Sequence, residues 1–388
     1  MQFSAITTEL TSAIFAHLET EKRKLLTAGR EVFDFGTGTP DLPPASHILE
    51  TLSREAANPE NYRYAIKDSP ELVSTVIDWY NRRFGVALEP DELTSMMGSQ
   101  DGLAHISLIL TNPGDLSMVP DPGYPIFSVG PKLAGAELHK MPLLKENGYL
   151  IDFERIDPTV AHQAKMMIVS YPNNPVTATA PPEFYEKLVW FAKKYDIMVL
   201  HDNAYCELVF DGQTGGSFLQ IPGAKDVGIE FNSLSKSYNI PGCRISFALG
   251  NREMIGHLRN IKSHLDYGIF LPVQKAAIAA LSGPQDDVRK TVETYQRRRD
   301  ILIDGFKNMG WIIDKAPGTM FIWAKIPDKY KSSVDFTFDL LHQTGVIVVP
   351  GSSFGNLGEG FVRLALVQPE EQINRAVSFI HASGILDD

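Results

Sequence analysis

Short apolar runs alternate with amphipathic stretches through the middle of the chain, and this alternation predicts strands separated by helices. The runs at 165–170, 197–200 and 228–231 are almost continuously apolar, as expected for strands that are covered on both faces. Around them apolar residues recur at helical spacing, as at Leu103 and Ile106. The pattern predicts an α/β fold with a mainly parallel sheet covered by helices.

A polar cluster follows each of these three runs. The clusters are Tyr-Pro-Asn-Asn-Pro at 171–175, His-Asp-Asn-Ala-Tyr at 201–205 and Asn-Ser-Leu-Ser-Lys at 232–236. The carboxyl ends of parallel strands lie at one edge of a sheet, and ligands bind there. We therefore expect the three clusters to meet in one site.

The pattern changes near residues 280 to 290. A long charged helix is predicted from Asp287 to Met309, followed by strands at 320–325, 346–349 and 361–367. A helical arm is predicted from Ala5 to Leu26. We expect three parts: an N-terminal arm (1–45) that packs with the small domain, a large cofactor-binding domain (46–285) and a small C-terminal α+β domain (286–388).

Composition narrows the possible functions. The 388 residues carry a formal net charge of -11 and only two cysteines. That charge argues against nucleic-acid binding, and two cysteines provide neither a disulfide framework nor a metal site. The first residues do not resemble a signal peptide, and no apolar run is long enough to span a membrane. We expect a cytoplasmic protein without a resident metal that acts on small molecules.

Lys236 is the strongest candidate for covalent chemistry. Ser233 and Ser235 precede it, Ser237 is the next residue, and Arg244 follows further along the chain. Burial beside another cation lowers the pKa of a lysine and makes it a nucleophile, while hydroxyl groups and an arginine suit a phosphate ester. The alternative is an ordinary surface lysine in a polar loop.

Candidate partners of a heterocyclic cofactor follow the other strands. Asp202 ends an apolar run, and a protonated ring nitrogen would stabilise a carboxylate buried there. Asn174 and Tyr205 could donate hydrogen bonds to a phenolic oxygen, and Tyr124 could lie against the ring. The alternatives are a helix cap for Asp202, ordinary turn residues for Asn174 and Tyr205, and a proline-rich turn for Tyr124.

Two further features suit anions. Gly98-Ser99-Gln100 precedes a predicted helix whose free N–H groups would attract a phosphate. Arg363 lies inside the apolar segment 361–366, and a buried guanidinium needs a partner, for which a substrate carboxylate or an internal acid would serve.

In this order, Asp-Pro-Gly-Tyr-Pro (121–125), Tyr-Pro-Asn-Asn-Pro (171–175), Asp-Asn-Ala-Tyr (202–205) and Ser-Leu-Ser-Lys (233–236) resemble the motifs of class I and II aminotransferases. These enzymes have the pyridoxal phosphate (PLP) fold type I. The resemblance runs from about Phe35 to Val367. The motif sequences look most similar to those of bacterial LL-diaminopimelate, aspartate and alanine aminotransferases.

The resemblance implies a homodimeric PLP enzyme that moves an amino group between an L-amino acid and a 2-oxo acid by a ping-pong mechanism. In it the amine of Lys236 carries PLP through a C=N bond and moves the proton, Asp202 faces the pyridine nitrogen, and Tyr205 faces the phenolic oxygen. The remaining implied contacts are Asn174 to the phenolic oxygen and the substrate, Tyr124 to the ring, Ser99, Gln100, Ser233, Ser235 and Arg244 to the phosphate, Tyr64 to the phosphate of the neighbouring subunit, and Arg363 with backbone near Gly38 to the substrate α-carboxylate.

One departure concerns the substrate. The LL-diaminopimelate enzymes often carry a tyrosine in the arm, where this chain has Ala13-Ile14-Phe15-Ala16 and no hydroxyl group. That difference argues against LL-diaminopimelate as the substrate. The side-chain pocket, the amino donor and the acceptor stay open.

Two alternatives to transamination use the same fold. A carbon–sulfur β-lyase needs similar lysine, aspartate and arginine groups, because a fold does not fix a reaction. A non-enzymatic regulator would use the fold to sense an effector. The stretch before residue 35 leaves no room for a DNA-binding domain, and the net charge of -11 is wrong for DNA.

Overall fold

The computed structural model describes residues 3–4, 6–7 and 13–387. The strands in this part of the chain are β1 (Phe33–Asp34), β2 (Leu93–Met96), β3 (Leu116–Asp121), β4 (Glu137–Pro142), β5 (Ala164–Ser170), β6 (Met198–Asp202), β7 (Gly228–Ser233), β8 (Ser246–Gly250), β9 (Phe321–Lys325), β10 (Val346–Ile347), β11 (Val349–Pro350) and β12 (Phe361–Ala365).

The α-helices in the same residues are α1 (Ala13–Thr27), α2 (Ser46–Ala56), α3 (Pro70–Phe84), α4 (Ser99–Leu110), α5 (Ile126–Leu133), α6 (Pro158–Gln163), α7 (Pro182–Tyr195), α8 (Ala224–Val227), α9 (Leu234–Ser237), α10 (Arg252–Leu265), α11 (Leu271–Ser282), α12 (Asp286–Lys307), α13 (Ser333–Thr344) and α14 (Glu370–Ser383). Short 3-10 turns lie at Pro59–Tyr62, Lys145–Asn147, Phe153–Arg155, Phe218–Gln220, Pro241–Cys243, Gly351–Phe354 and Asn356–Gly358.

The large sheet has the strand order β2-β8-β7-β6-β5-β3-β4. Its central and outer strands from β7 to β4 are parallel, whereas β8 is antiparallel to both β2 and β7. The predicted α/β fold with a mainly parallel sheet is therefore confirmed. The two antiparallel pairs were not predicted, because an apolar strand pattern does not specify the direction of pairing.

Both faces of the central strands are buried, and alternate residues pack against different helices. Met167 and Val199 belong to a core cluster that includes α3 and α7 residues, whereas Ile168 and Leu200 pack with Leu103 of α4. This double coverage explains why the strands are almost wholly apolar. The buried apolar runs end where the polar clusters begin.

A separate core lies in the C-terminal part, around an antiparallel sheet with the order β11-β12-β9. The run at 346–349, predicted as one strand, divides in two: β10 pairs with β1 and β11 pairs with β12. Leu18 of α1 packs with Leu341 and Ile347. The division into arm (1–45), large domain (46–285) and small domain (286–388) remains a proposal.

Among residues 3–4, 6–7 and 13–387, none of the helices combines the length and apolar character that crossing a membrane requires.

Candidate active site

A cavity of about 530 Å³ opens where β6 and β7 end, between the large sheet and the C-terminal part. All but one of the predicted site residues line it. These are Gly38, Ser99, Gln100, Tyr124, Asn174, Asp202, Tyr205, Ser233, Ser235, Lys236, Arg244 and Arg363. The strand–turn–helix order therefore brings together side chains that are up to 325 residues apart, from Gly38 to Arg363.

Lys236 lies in the short helix α9, directly after β7. Ser233 caps the N-terminus of this helix, because its hydroxyl accepts a hydrogen bond of 3.2 Å from the Ser235 N–H. The Lys236 Nζ donates to the Gly38 carbonyl at 2.7 Å. Burial, reinforced by the charges of Arg363 and Arg244, lowers the pKa of Lys236 to about 8. A larger fraction of this amine than of an ordinary lysine is therefore neutral and nucleophilic near neutral pH.

Asp202 is the last residue of β6 and lies opposite Phe231 of β7. It is buried, and its Oδ1 has no hydrogen-bond partner in the described residues. Burial raises the pKa of Asp202 to about 6, against the opposing effects of His201, a backbone hydrogen bond and Lys236. A buried carboxylate oxygen without a hydrogen-bond partner is costly, so a cationic group from a ligand would be stabilised here.

Arg363 projects from β12 into the same cavity and is buried. Its guanidinium donates to Asn174 Oδ1 at 2.9 Å and to the Gly36 carbonyl at 3.1 Å, and lies over the rings of Phe321 and Phe354. Its Nε has no hydrogen-bond partner in the described residues. These neutral contacts do not balance its charge, so the internal salt bridge considered as an alternative is not formed by the described acids.

Tyr205 and Asn174 also line the cavity. Both side chains are buried. Burial raises the pKa of the Tyr205 hydroxyl above its usual value, although the charge of Arg363 opposes this effect. Tyr205 is therefore neutral and can donate a hydrogen bond, as a contact with a phenolate oxygen requires.

A second group of cavity residues suits a dianionic phosphate. The helix α4 begins at Ser99, whose buried Oγ has no partner in the described residues. Arg244 donates to the Met97 carbonyl at 3.1 Å, which holds its guanidinium beside Gly98. Helix N-terminal N–H groups, a free hydroxyl and a guanidinium together form an anion site.

Two predicted ring and phosphate contacts have different outcomes. Tyr124 lines the cavity and is half-buried, with its ring centroid 6.1 Å from that of Phe127. Tyr64 does not line the cavity of its own chain; its side chain is 82% exposed and lies against Tyr267. Its proposed contact with a neighbouring subunit stays a prediction.

Several cavity residues were not predicted. Glu19 and Lys22 of α1 and Asp34 of β1 face it, and Phe321 packs against Arg363. Helical spacing alone does not tell which face of an arm covers a site. The one signal available in the sequence was Asp-Phe-Gly-Thr-Gly at 34–38, in which two glycines follow the apolar residue Phe35.

These residues fit PLP. The Oδ1 of the buried Asp202 carboxylate, which has no hydrogen-bond partner in the described residues, suits the protonated ring nitrogen. Lys236 suits the aldehyde, and the Ser99 hydroxyl with Arg244 suits the phosphate. A side chain at position 98 would overlap the Arg244 guanidinium, so glycine is required for this arrangement.

Comparison with known proteins identifies the class. The model of the family described as aminotransferase class I and II matches residues 30–380. The chain belongs to this family, as its motifs and fold indicated. It is a PLP-dependent aminotransferase, which transfers an amino group between an amino acid and a 2-oxo acid.

Individual relatives cover nearly the whole chain. An LL-diaminopimelate aminotransferase of Moorella thermoacetica is 44% identical over 371 residues, 95% of each chain. The substrate-bound BacF structure from Bacillus subtilis is 37% identical, covers 98% of each chain and has a TM-score of 0.94. A probable N-succinyldiaminopimelate aminotransferase from Thermus thermophilus is 32% identical, with a TM-score of 0.90 over 96% of this chain and 100% of that one. These relatives lend no support to the carbon–sulfur lyase or the regulator.

Proposed function

We propose that Lys236 is both the covalent attachment point of PLP and the group that moves the substrate proton, with Asp202 and Tyr205 as the other catalytic residues. The observation that carries the proposal is the meeting, in one cavity, of an amine of lowered pKa, a buried carboxylate whose Oδ1 has no hydrogen-bond partner in the described residues, and a guanidinium that pairs with none of the described acids. When bound, PLP supplies a ring that withdraws electrons from the α-carbon of the amino acid.

The chain's own residues supply position and proton transfer. Arg363 binds the α-carboxylate bidentately, beside Asn174, and so orients the α-carbon. Lys236, once it is a free amine, takes the α-proton and returns it to the cofactor side, while the Gly38 carbonyl orients it through the 2.7 Å hydrogen bond. Asp202 holds a positive charge at the ring nitrogen, and Ser99, Gln100, Ser233, Ser235 and Arg244 bind the phosphate.

LL-diaminopimelate is the first candidate for the amino donor. The proposal depends on the relative of that name, which matches 95% of the chain at 44% identity. The carboxylate of Glu19, which faces the cavity from α1, suits a donor with a distal ammonium. The absence of an arm hydroxyl near Phe15 is the observation against it.

A second candidate is a donor with an apolar side chain. Phe15, Leu18, Ile126, Ile347 and Val349 also line the cavity and provide an apolar wall. The kcat/KM values for LL-diaminopimelate, methionine, alanine and aspartate, with pyruvate and 2-oxoglutarate as acceptors, distinguish the two. A preference for methionine by about tenfold or more would favour the apolar donor, since one or two buried methylene groups contribute that much.

We further propose a cytoplasmic homodimer whose two cavities share residues of both subunits. A patch of exposed side chains supports it, formed by Tyr62, Tyr64, Ile66, Tyr267 and Phe270 and called the aromatic patch below. Tyr62 packs edge-on against Phe270 and Tyr64 lies beside Tyr267. Exposed apolar patches of this kind mark protein interfaces.

Borohydride reduction tests the central assignment. Reduction should leave a PLP mass adduct on Lys236, and Lys236→Ala should lose both the adduct and transamination. Lys290→Ala, which removes an exposed lysine of α12, is the matched control and should keep both. An adduct on a different lysine, or none with added PLP, would refute the proposal.

A further inference from the structure

The turn that follows β1 connects the arm to the groups that act on the substrate. Asp34 accepts hydrogen bonds at its Oδ1 from the backbone N–H groups of Gly36 at 2.9 Å and Thr37 at 3.2 Å. The carbonyls of the same turn face the cavity: Gly36 accepts from Arg363 at 3.1 Å and Gly38 accepts from Lys236 at 2.7 Å. The Asp34 side chain therefore helps to hold the turn that carries these two carbonyls.

Lys22 links this turn to α1. Its Nζ donates to Asp34 Oδ2 at 2.6 Å, and the pair is largely shielded, with the two side chains 28% and 20% exposed. A shielded, charge-assisted hydrogen bond is stronger than one in open water. The helix that carries Lys22 also faces the cavity with Phe15 and Glu19. One helix therefore covers the substrate side of the cavity and holds the turn.

The turn has little freedom to adjust by itself. A Cβ on Gly38 would lie 2.8 Å from the Phe321 ring, and one on Gly36 would lie 3.1 Å from Ile347 Cγ2. Phe321 in turn packs against the Arg363 guanidinium, 4.1 Å from its ring centroid. Closely packed groups transmit a displacement instead of absorbing it. A shift of the turn therefore moves Arg363.

We propose that Lys22 and Asp34 are positioning residues, whose ion pair couples the placement of α1 to the carboxylate-binding geometry of Arg363. The inference rests on the proposed role of Arg363. It assigns to the arm an effect on every substrate, donor or acceptor, because both carry the carboxylate that Arg363 binds. A direct role of Lys22 in binding a distal carboxylate would instead affect only substrates that have one.

Steady-state kinetics of the PLP-loaded enzyme test the inference. Lys22→Met should raise KM for the amino donor and for the 2-oxo acid by about tenfold, the effect of losing one charge-assisted hydrogen bond, with a smaller change in kcat. Lys22→Arg keeps the charge and should stay within about twofold of the native KM values. The absorbance spectrum of bound PLP should not change.

Lys24→Met is the matched control. It makes the same substitution on the same helix and removes the exposed 2.8 Å pair with Glu21, which does not contact the turn. It should leave both KM values unchanged. Equal KM increases in Lys22→Met and Lys24→Met, or an increase confined to substrates with a distal carboxylate, would overturn the inference.

Asp34→Asn is the second variant, and it decides the matter if Lys22→Met is unstable in thermal melting. It should raise both KM values, and adding Lys22→Met to it should cause little further change, because the two side chains form one interaction. Arg363→Gln tests the proposed function separately. Native KM values in Arg363→Gln would refute the assigned role of Arg363. Raised KM values in Arg363→Gln, together with native values in Lys22→Met and Asp34→Asn, would refute only the ion-pair inference.

Discussion

The raised pKa of Asp202 predicts a measurable pH dependence of stability. In the folded, PLP-free protein this pKa is about 6, against 3.8 for an ordinary aspartate. Between these values the folded state binds more protons than the unfolded state, so the Asp202 contribution to the free energy of unfolding falls as pH rises. The loss across this window is at most about 3 kcal/mol. Urea unfolding of the PLP-free protein between roughly pH 4 and pH 6, the range between the two pKa values, measures this loss.

The comparison with Asp202→Asn isolates this group from other titrating residues. An asparagine does not titrate, so the variant should gain stability relative to the wild type as pH rises through the same window. Asp328→Asn, at an aspartate whose side chain is 87% exposed, should follow the wild type. A parallel pH dependence in wild type and Asp202→Asn would show that the buried carboxylate does not titrate as predicted.

Gly98 predicts a specific loss of cofactor affinity. Its φ is +90°, and a Cβ there would displace the Arg244 guanidinium. Gly98→Ala should therefore raise the Kd for PLP by about tenfold or more, since a charge-assisted phosphate contact is lost. Gly85→Ala shares the positive φ, at +66°, but its Cβ would meet open space. Absorbance titration with PLP should show native affinity in Gly85→Ala; the same result in Gly98→Ala would contradict the prediction.

At the scale of elements, the docking of α1 depends on few buried contacts. Leu18 is 5% exposed and packs with Leu341 and Ile347. Leu18→Ala should weaken this docking by about 2 kcal/mol or more. Trypsin cleavage after Lys22 and Lys24 should accelerate by about tenfold or more, because cleavage follows the population of the undocked arm.

The control for this element is Leu26→Ala on the same helix, at a leucine that is 52% exposed. It should leave the cleavage rate unchanged. Global unfolding, followed by urea, should shift by less than about 1 kcal/mol in both variants, since α1 lies outside the two main cores. Equal cleavage rates in the two variants would show that Leu18 does not hold the arm.

The sequence predicted most elements because their signals are local. The long helix predicted from Asp287 to Met309 is α12, at Asp286–Lys307. Signals that depend on tertiary contacts were missed. Glu230 lies inside the apolar strand β7, fully buried, where it accepts hydrogen bonds from the Tyr80 and Ser217 hydroxyls and pairs with His201 at 2.9 Å. Its partners come from distant parts of the chain, so no window of sequence shows that the charge is satisfied.

At the scale of the whole molecule, the aromatic patch predicts assembly. A homodimer has twice the 43.0 kDa mass of one chain. Ile66→Lys places a charge in the patch and should give a 43.0 kDa species in sedimentation, with little transaminase activity. The matched control is Ile312→Lys, since Ile312 is 70% exposed and does not belong to the patch. Dimers of undiminished activity in Ile66→Lys would exclude this surface as the interface.

Most of the site residues that the sequence revealed lie at or just after strand ends. Asn174, Asp202 and Lys236 follow apolar strands, so a topological rule places them together. Lys22 and Asp34 were missed, because their importance depends on how the arm folds back over the sheet. The amino donor stays undetermined for a related reason: its wall combines α1, β10 and a loop before α5.

Mutations that affect the site are of two kinds: those at the interior strands of the large sheet and those in a peripheral helix. Asn174, Asp202 and Lys236, which are proposed to serve PLP, lie at or just after the ends of interior strands, where an altered residue disturbs a packed sheet. The side-chain wall includes α1, a 15-residue helix whose outer face is solvent-exposed. Evolution can therefore vary the choice of substrate by mutating a peripheral segment, while the reaction chemistry is inherited unchanged.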